Sequence, residues 1–241
     1  ILLHKEDLMK KIFTFFISSF MILNLAACSS NNDDYALEFF SALDNTLELN
    51  SGHIQGTFTS NNEDASKIKF DLQLNQKDNL QLALDLDLEA GDNAEDNFLN
   101  FYIKDNKTYL NSYGTTSQSL LENLGINGSE KLSVYNPFLN YTDDELKAFF
   151  TRSSKNGNNY SFTIDGSLIS SYLDSMGSVT IEDATLDATI EDNYITSLTL
   201  GISGLQDVET QQVIIDVTIE CTLDQINSLD TVTYPADLEN Y

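Results

Sequence analysis

The chain has 241 residues, of which 38 are Asp or Glu and 12 are Lys or Arg, a formal net charge of −26 at pH 7. That acid excess argues against nucleic-acid binding, which needs a basic patch to neutralise phosphates, and against lying flat on anionic lipid. Hydrophobic residues make up 41% and aromatics 10%, and they are periodic, so the chain can pack a core where a merely acidic chain would stay disordered.

Residues 1–8, ILLHKEDL, contain no Met and read as an extension upstream of the natural start. From Met9 the chain runs through Lys10 and Lys11 into a short apolar segment and closes on Leu25-Ala26-Ala27-Cys28. A charged start, a short apolar run and small residues before a cut make a secretory signal over 9–27. A spanning helix needs about 20 apolar residues, and this run is shorter and interrupted by Ser18, Ser19 and Asn24. The Leu-Ala-Ala-Cys ending resembles a bacterial lipoprotein signal. The resemblance implies cleavage between Ala27 and Cys28 and a diacylglyceryl group on Cys28. Two acyl chains anchor a protein stably where one does not. The expected location is therefore extracytoplasmic, lipid-anchored to the bacterial cell membrane, with 28–34 as a polar tether and 35–241 as one domain.

The spacing of Ala36, Phe40, Leu43 and Leu47 predicts a helix over 35–50, with Asp33 or Asp34 able to cap it. Strands follow at Ile54–Thr59 and Ile68–Leu74. Leu80, Leu82, Leu84, Leu86 and Leu88 then alternate with Gln81, Asp85 and Asp87, the mark of an antiparallel strand with one wet face. Gly91–Asp96 reads as an acidic turn. Phe98–Lys104 and Thr108–Tyr113 read as a hairpin around Asp105-Asn106-Lys107.

The middle of the chain changes character. Ser117–Leu124 fits a short helix, and Asn136-Pro137 breaks the chain. Thr142-Asp143-Asp144-Glu145 is a capping box, with Leu146, Phe149 and Phe150 as an apolar stripe beyond it. After a turn at Gly157, Tyr160–Ile164 alternates, and Ser167–Met176 is a short helical stretch. Val179–Ile190, Ile195–Ile202 and Val213–Leu223 are long alternating strands, joined through Asp192-Asn193 and through Gly204–Thr210. Cys221 falls in step with Ile215, Val217, Ile219 and Leu223, where a thiol acts as a small hydrophobe. The expected fold class is α+β, mostly antiparallel β: a long sheet with one apolar face that needs a cover, either by curling on itself as a barrel or half-barrel or by closing on a few helices.

This layout resembles the lipoproteins with a LolA/LppX-like fold. The resembling parts are the helix after the tether, Ser51-Gly52-His53-Ile54 opening the first strand, the hairpin Tyr102–Leu110, Tyr194–Leu198 and the closing Tyr234-Pro235-Ala236-Asp237-Leu238. The resemblance implies an incomplete curved barrel with helices across its open side and an apolar cavity between. It also implies a non-enzymatic function, holding or handing over a lipid or another hydrophobic molecule. The aromatic and apolar residues singled out for such a cavity are Phe98, Phe101, Tyr102, Tyr109, Tyr113, Leu146, Phe149 and Phe150; the same residues also suit a filled core.

Catalytic chemistry is not visible. His53 is the one His after Cys28, no G-x-S-x-G elbow occurs, and His and Cys form no zinc-type cluster. Asp92–Asp96 and Asp143–Glu145 lack the ligand spacing of an EF-hand. No cofactor and no metal site is expected, and no nucleic acid; the partners expected are the membrane, through the anchor, and a hydrophobic small molecule. Two alternatives stay open: a scaffold or partner-binding lipoprotein with a packed core, and a solute-binding subunit of an importer. Consecutive strands speak against the second, whose lobes alternate strands with helices.

Overall fold

A computed structural model describes residues 34–60, 66–91, 93–112, 131–132, 136–173, 179–208 and 211–240. The signal segment, Ala27, Cys28, Tyr113 and the helix expected at Ser117–Leu124 lie outside the described residues, as does most of the tether.

Among the described residues ten strands form one open antiparallel sheet. In chain order they are β1 Ser51–Ser60, β2 Ser66–Asn75, β3 Gln81–Ala90, β4 Asn93–Lys104, β5 Lys107–Ser112, β6 Phe150–Asn156, β7 Asn159–Ile164, β8 Val179–Glu191, β9 Tyr194–Val208 and β10 Gln211–Asp224. Their spatial order is β5-β4-β3-β2-β1-β10-β9-β8-β7-β6. Each half of the chain is thus a five-stranded meander, and the single long-range pairing of β1 with β10 joins the two. The expected class holds: a curved open antiparallel sheet with few helices.

Period-two sequence sets the two faces. Leu198↔Cys221, Cys221↔Gly56, Gly56↔Phe70 and Phe70↔Leu86 are in register across five strands, so their side chains share the apolar face. The neighbouring positions 55, 71, 85, 197 and 222 fall on the polar face. Two hairpins turn on the same dipeptide. Asp105-Asn106 has φ 50° and 60°, and Asp192-Asn193 has φ 49° and 64°. Two successive positive φ values are what a tight two-residue hairpin requires, and Asp and Asn accept them with little cost.

Helix α1 is Tyr35–Leu47. Its buried side is Ala36, Phe39, Phe40 and Ala42, so Phe39 joins the stripe read from sequence. Asp34 stands at the N-cap position without a side-chain capping bond and instead pairs with Lys147 at 3.1 Å. Helix α2 is the short Asp143–Ala148, with the predicted capping box of Thr142 and Glu145 present. Helix α3 is Gly166–Leu173. It sits against a bulge in β8 at Ile181/Asp183, where Ile181 donates its backbone N–H to Ser170 Oγ at 2.9 Å. The helices pack chiefly on β6, β8 and β9, covering the apolar face of the C-terminal meander.

Three expectations need correction. Phe150 opens β6 and does not extend the helical stripe; Phe150–Asn156 is an edge strand whose Thr, Arg, Ser and Lys show no apolar alternation to read. The turn after β3 centres on Gly91, φ 57°, and β4 begins at Asn93, so 93–96 are strand. Gly204 lies inside a strand, because β9 runs on to Val208.

Candidate functional site

The apolar face is dry at its two ends and half-open between them. At the C-terminal side Phe39, Phe40, Phe150 and Phe162 pack with Tyr160, Leu186 and Ile202. Phe150 and Phe162 stack at 4.1 Å between centroids, and Phe40 and Phe150 at 5.5 Å. At the N-terminal side Leu74, Leu80, Leu82, Phe101 and Ile103 pack with Leu49 and Leu223. Between them Phe58, Ile68 and Val217 form a third buried group. Beside these groups Ile54, Leu72, Leu84 and Leu86 from β1–β3, and Leu198, Leu200 and Ile219 from β9 and β10, pack against the clusters but stay half-buried. These half-covered aliphatic side chains make an interrupted apolar trough across the middle of the sheet. Cys221 sits in it, half-buried, and burial pushes its thiol up to about 11. That keeps it protonated and unreactive at neutral pH.

The polar face is divided differently. The segment after β10 crosses β2–β5 as a strap. Leu229, Val232 and Leu238 are buried against Ala83, Tyr102 and Tyr109. Asn75 Nδ2 donates to the Leu229 and Asp230 carbonyls at 3.1 and 3.0 Å. The Thr233 N–H reaches Gln73 Oε1 at 2.9 Å, and the Tyr234 hydroxyl donates to the Ile103 carbonyl at 2.7 Å. Burial pushes Tyr234 up to about 12, so the hydroxyl keeps its proton and its donor role.

Beyond the strap the polar face holds a groove of about 610 Å³ over β9, β10, β1, β2 and β3. Next to it His53 bridges three strands. Its Nε2 lies 3.0 Å from Asp71 on β2 and its Nδ1 3.4 Å from Asp224 on β10, with the imidazole side chain only 16% exposed. The structure makes the one His after Cys28 a strut across the β1–β10 seam. No serine is seen bonded to it, and no cluster of His, Cys, Asp or Glu able to hold a metal ion occurs among the described residues.

The residues expected to line a cavity do not line one space. Phe101 is 0% exposed inside the N-terminal cluster, with Phe98 packed against it. Tyr102 and Tyr109 point to the other face, under the strap. Leu146, Phe149 and Phe150 belong to the cluster below α1. What the sequence missed is the role of the plain leucines of β3, whose half-exposure depends on which neighbours cover them.

No family model matches the chain, and no curated protein matches it. Among solved structures it is similar to the crystal structure of LprF from Mycobacterium bovis, with a TM-score of 0.39 and 14% sequence identity, over 86% of this chain and 100% of that one.

Proposed function

We propose that this chain is a membrane-anchored surface lipoprotein, without enzymatic activity, that binds or carries a lipid or another hydrophobic molecule. The anchor rests on the Leu25-Ala26-Ala27-Cys28 ending of the signal segment, with Cys28 as the lipidated residue. The binding reading rests on one observation: Ile54, Leu72, Leu84 and Leu86 stay half-buried on the apolar face, although they pack against the N-terminal cluster and beside the buried Phe58, Ile68 and Val217. Half-covered apolar side chains offer a hydrocarbon tail a surface with no polar group to desolvate. Phe98, which packs against the N-terminal cluster, is the aromatic of the expected set that we assign to that trough.

Native mass spectrometry of the chain without its signal, carrying Cys28→Ser, tests the binding. Added masses of lipid size that leave on denaturation support a carrier. A single bare mass, unchanged after incubation with bacterial membrane lipids, favours instead a packed scaffold that meets a protein partner. Radiolabelled fatty acid incorporated by the full chain and lost in Cys28→Ser tests the anchor separately.

A further inference from the structure

The groove on the polar face lies on the opposite side of the sheet from the apolar trough and has no part in lipid uptake. Register defines it. One row across the strands is Thr199↔Glu220↔Thr57↔Lys69↔Asp87, and the next is Ser197↔Thr222↔Gln55↔Asp71↔Asp85. All ten of these residues line the groove, and the backbone row between them, Leu198, Cys221, Gly56 and Phe70, closes its floor. Rows two residues apart are about 7 Å apart, and five strands span about 19 Å. The groove is therefore narrow and elongated across the strands.

We propose that this groove binds a linear, uncharged oligosaccharide. Its lining matches a polyol in kind. Gln55, Thr57, Ser197, Thr199 and Thr222 each donate and accept hydrogen bonds, as every sugar hydroxyl does. Gln55 and Thr57 already donate to Asp71 and Glu220; a polyamine, which donates only, could accept nothing from the remaining hydroxyls of Ser197, Thr199 and Thr222. Two of the four lining carboxylates, Asp71 and Asp85, are held in place by the protein. Asp71 accepts from Gln55 Nε2 at 2.6 Å and from His53 at 3.0 Å. Asp85 accepts from Asn100 Nδ2 and from the Tyr102 hydroxyl, both at 2.5 Å. Each keeps lone pairs for a ligand hydroxyl while its position is fixed, which lowers the ordering cost of binding. Lys69, the one cation in the lining, is tied to Glu89. The polar side chains repeat at the strand spacing of about 4.8 Å, a step comparable to one pyranose ring along an extended chain.

The test is calorimetric titration of the full chain in detergent with cellopentaose and with chitopentaose, at low and high salt, beside spermine. The proposal expects at least one pentamer to bind with little salt dependence. It also expects Gln55→Ala combined with Thr222→Val to weaken binding roughly tenfold or more, the loss of about 1.4 kcal/mol. Both positions are exposed on strands, and Val suits a strand, so the fold is retained. Backbone amide shifts of the wild-type chain should move on β9, β10, β1, β2 and β3 and not under the strap. Absence of binding at millimolar pentamer overturns the proposal. So does pentamer binding that the double variant leaves intact, or spermine binding that is tighter and collapses with salt. None of these outcomes bears on lipid uptake, which the mass-spectrometric experiment reads on its own.

Discussion

The two five-stranded meanders have the same order and the same alternation, yet only the N-terminal one carries a packed cover on its polar face as well. The C-terminal meander is roofed on its apolar face by α1 and α3, and Phe39, Phe40, Phe150, Tyr160 and Phe162 are buried there. The N-terminal meander carries its best-organised cover, the 229–238 strap, on its polar face, so its leucines stay half-buried in mid-sheet. Both meanders thus pack a core on their apolar faces, and they differ in how much of that face the flanking segments cover. What decides the difference is where those segments dock.

Mutations in the two halves should separate these roles. Phe150 is 1% exposed and touches Phe39, Phe40, Phe149 and Phe162. Phe150→Ala should destabilise the chain by about 3–5 kcal/mol, read as a lower urea midpoint. A loss below about 1 kcal/mol would mean the C-terminal roof is loose, and the contrast with the N-terminal half would fail. Leu84→Ala, in the trough, should cost only about 1–2 kcal/mol because a half-buried side chain loses less transfer free energy. Its larger effect should be on bound lipid, seen as weaker retention in native mass spectra. If both substitutions cost the same and leave lipid retention unchanged, the trough is core and not a binding surface.

The strap gives a smaller and sharper test. Tyr234→Phe removes one donor to the Ile103 carbonyl while keeping the ring that Lys104 covers at 5.2 Å. The expected loss is about 0.5–1.5 kcal/mol, with amide-exchange protection falling at Thr233 and Leu238 before it falls in β8. Unchanged protection would show that the buried Val232 and Leu238 hold the strap without the hydroxyl.

How much of this was legible in the sequence follows from range. The Leu80–Leu88 alternation and the Asp105-Asn106 turn are local, and both were readable. The capping box at Thr142 and Glu145 spans three positions and was readable too. β6 was not, because an edge strand with the sequence Phe-Thr-Arg-Ser-Ser-Lys-Asn draws its place from pairing with β7 and not from a buried face. The β1–β10 seam depends on residues such as Ile54 and Leu223 meeting across the whole chain. The groove is more hidden still: Gln55, Asp71, Asp85, Ser197 and Thr222 form a row only once five strands are in register. The strap's Leu229, Val232 and Leu238 follow neither helical nor strand period. Tyr234–Leu238 could be singled out as the chain's closing segment, but not assigned to a face.

The smallest expected effect concerns how α1 is held over the C-terminal meander. Glu38 accepts from Lys155 and from the Tyr160 hydroxyl. These two hydrogen bonds, that from Lys155 first, hold its carboxyl below the usual carboxylate range against the opposing effect of burial. A carboxyl with a depressed folded-state value stabilises the fold above its unfolded value, near 4.5, and that stabilisation is lost as the pH falls through the folded value. Lys155 and Tyr160 are both shifted upward, Lys155 chiefly by its bond to Glu38 and Tyr160 chiefly by burial. Their contributions are present at neutral pH and fade only in strong alkali. The side chains of Glu38 and Lys155 are 44% and 31% exposed, so solvent screening keeps the effect modest. Denaturation midpoints of wild type and Glu38→Gln should therefore differ by a constant amount around neutral pH and converge below about 4.5. A gap that persists unchanged into acid would show that Gln disturbs the packing of Tyr35 and Tyr160 instead of removing a charge. In that case the roof over the C-terminal meander owes nothing to this ion pair and rests on its phenylalanines alone.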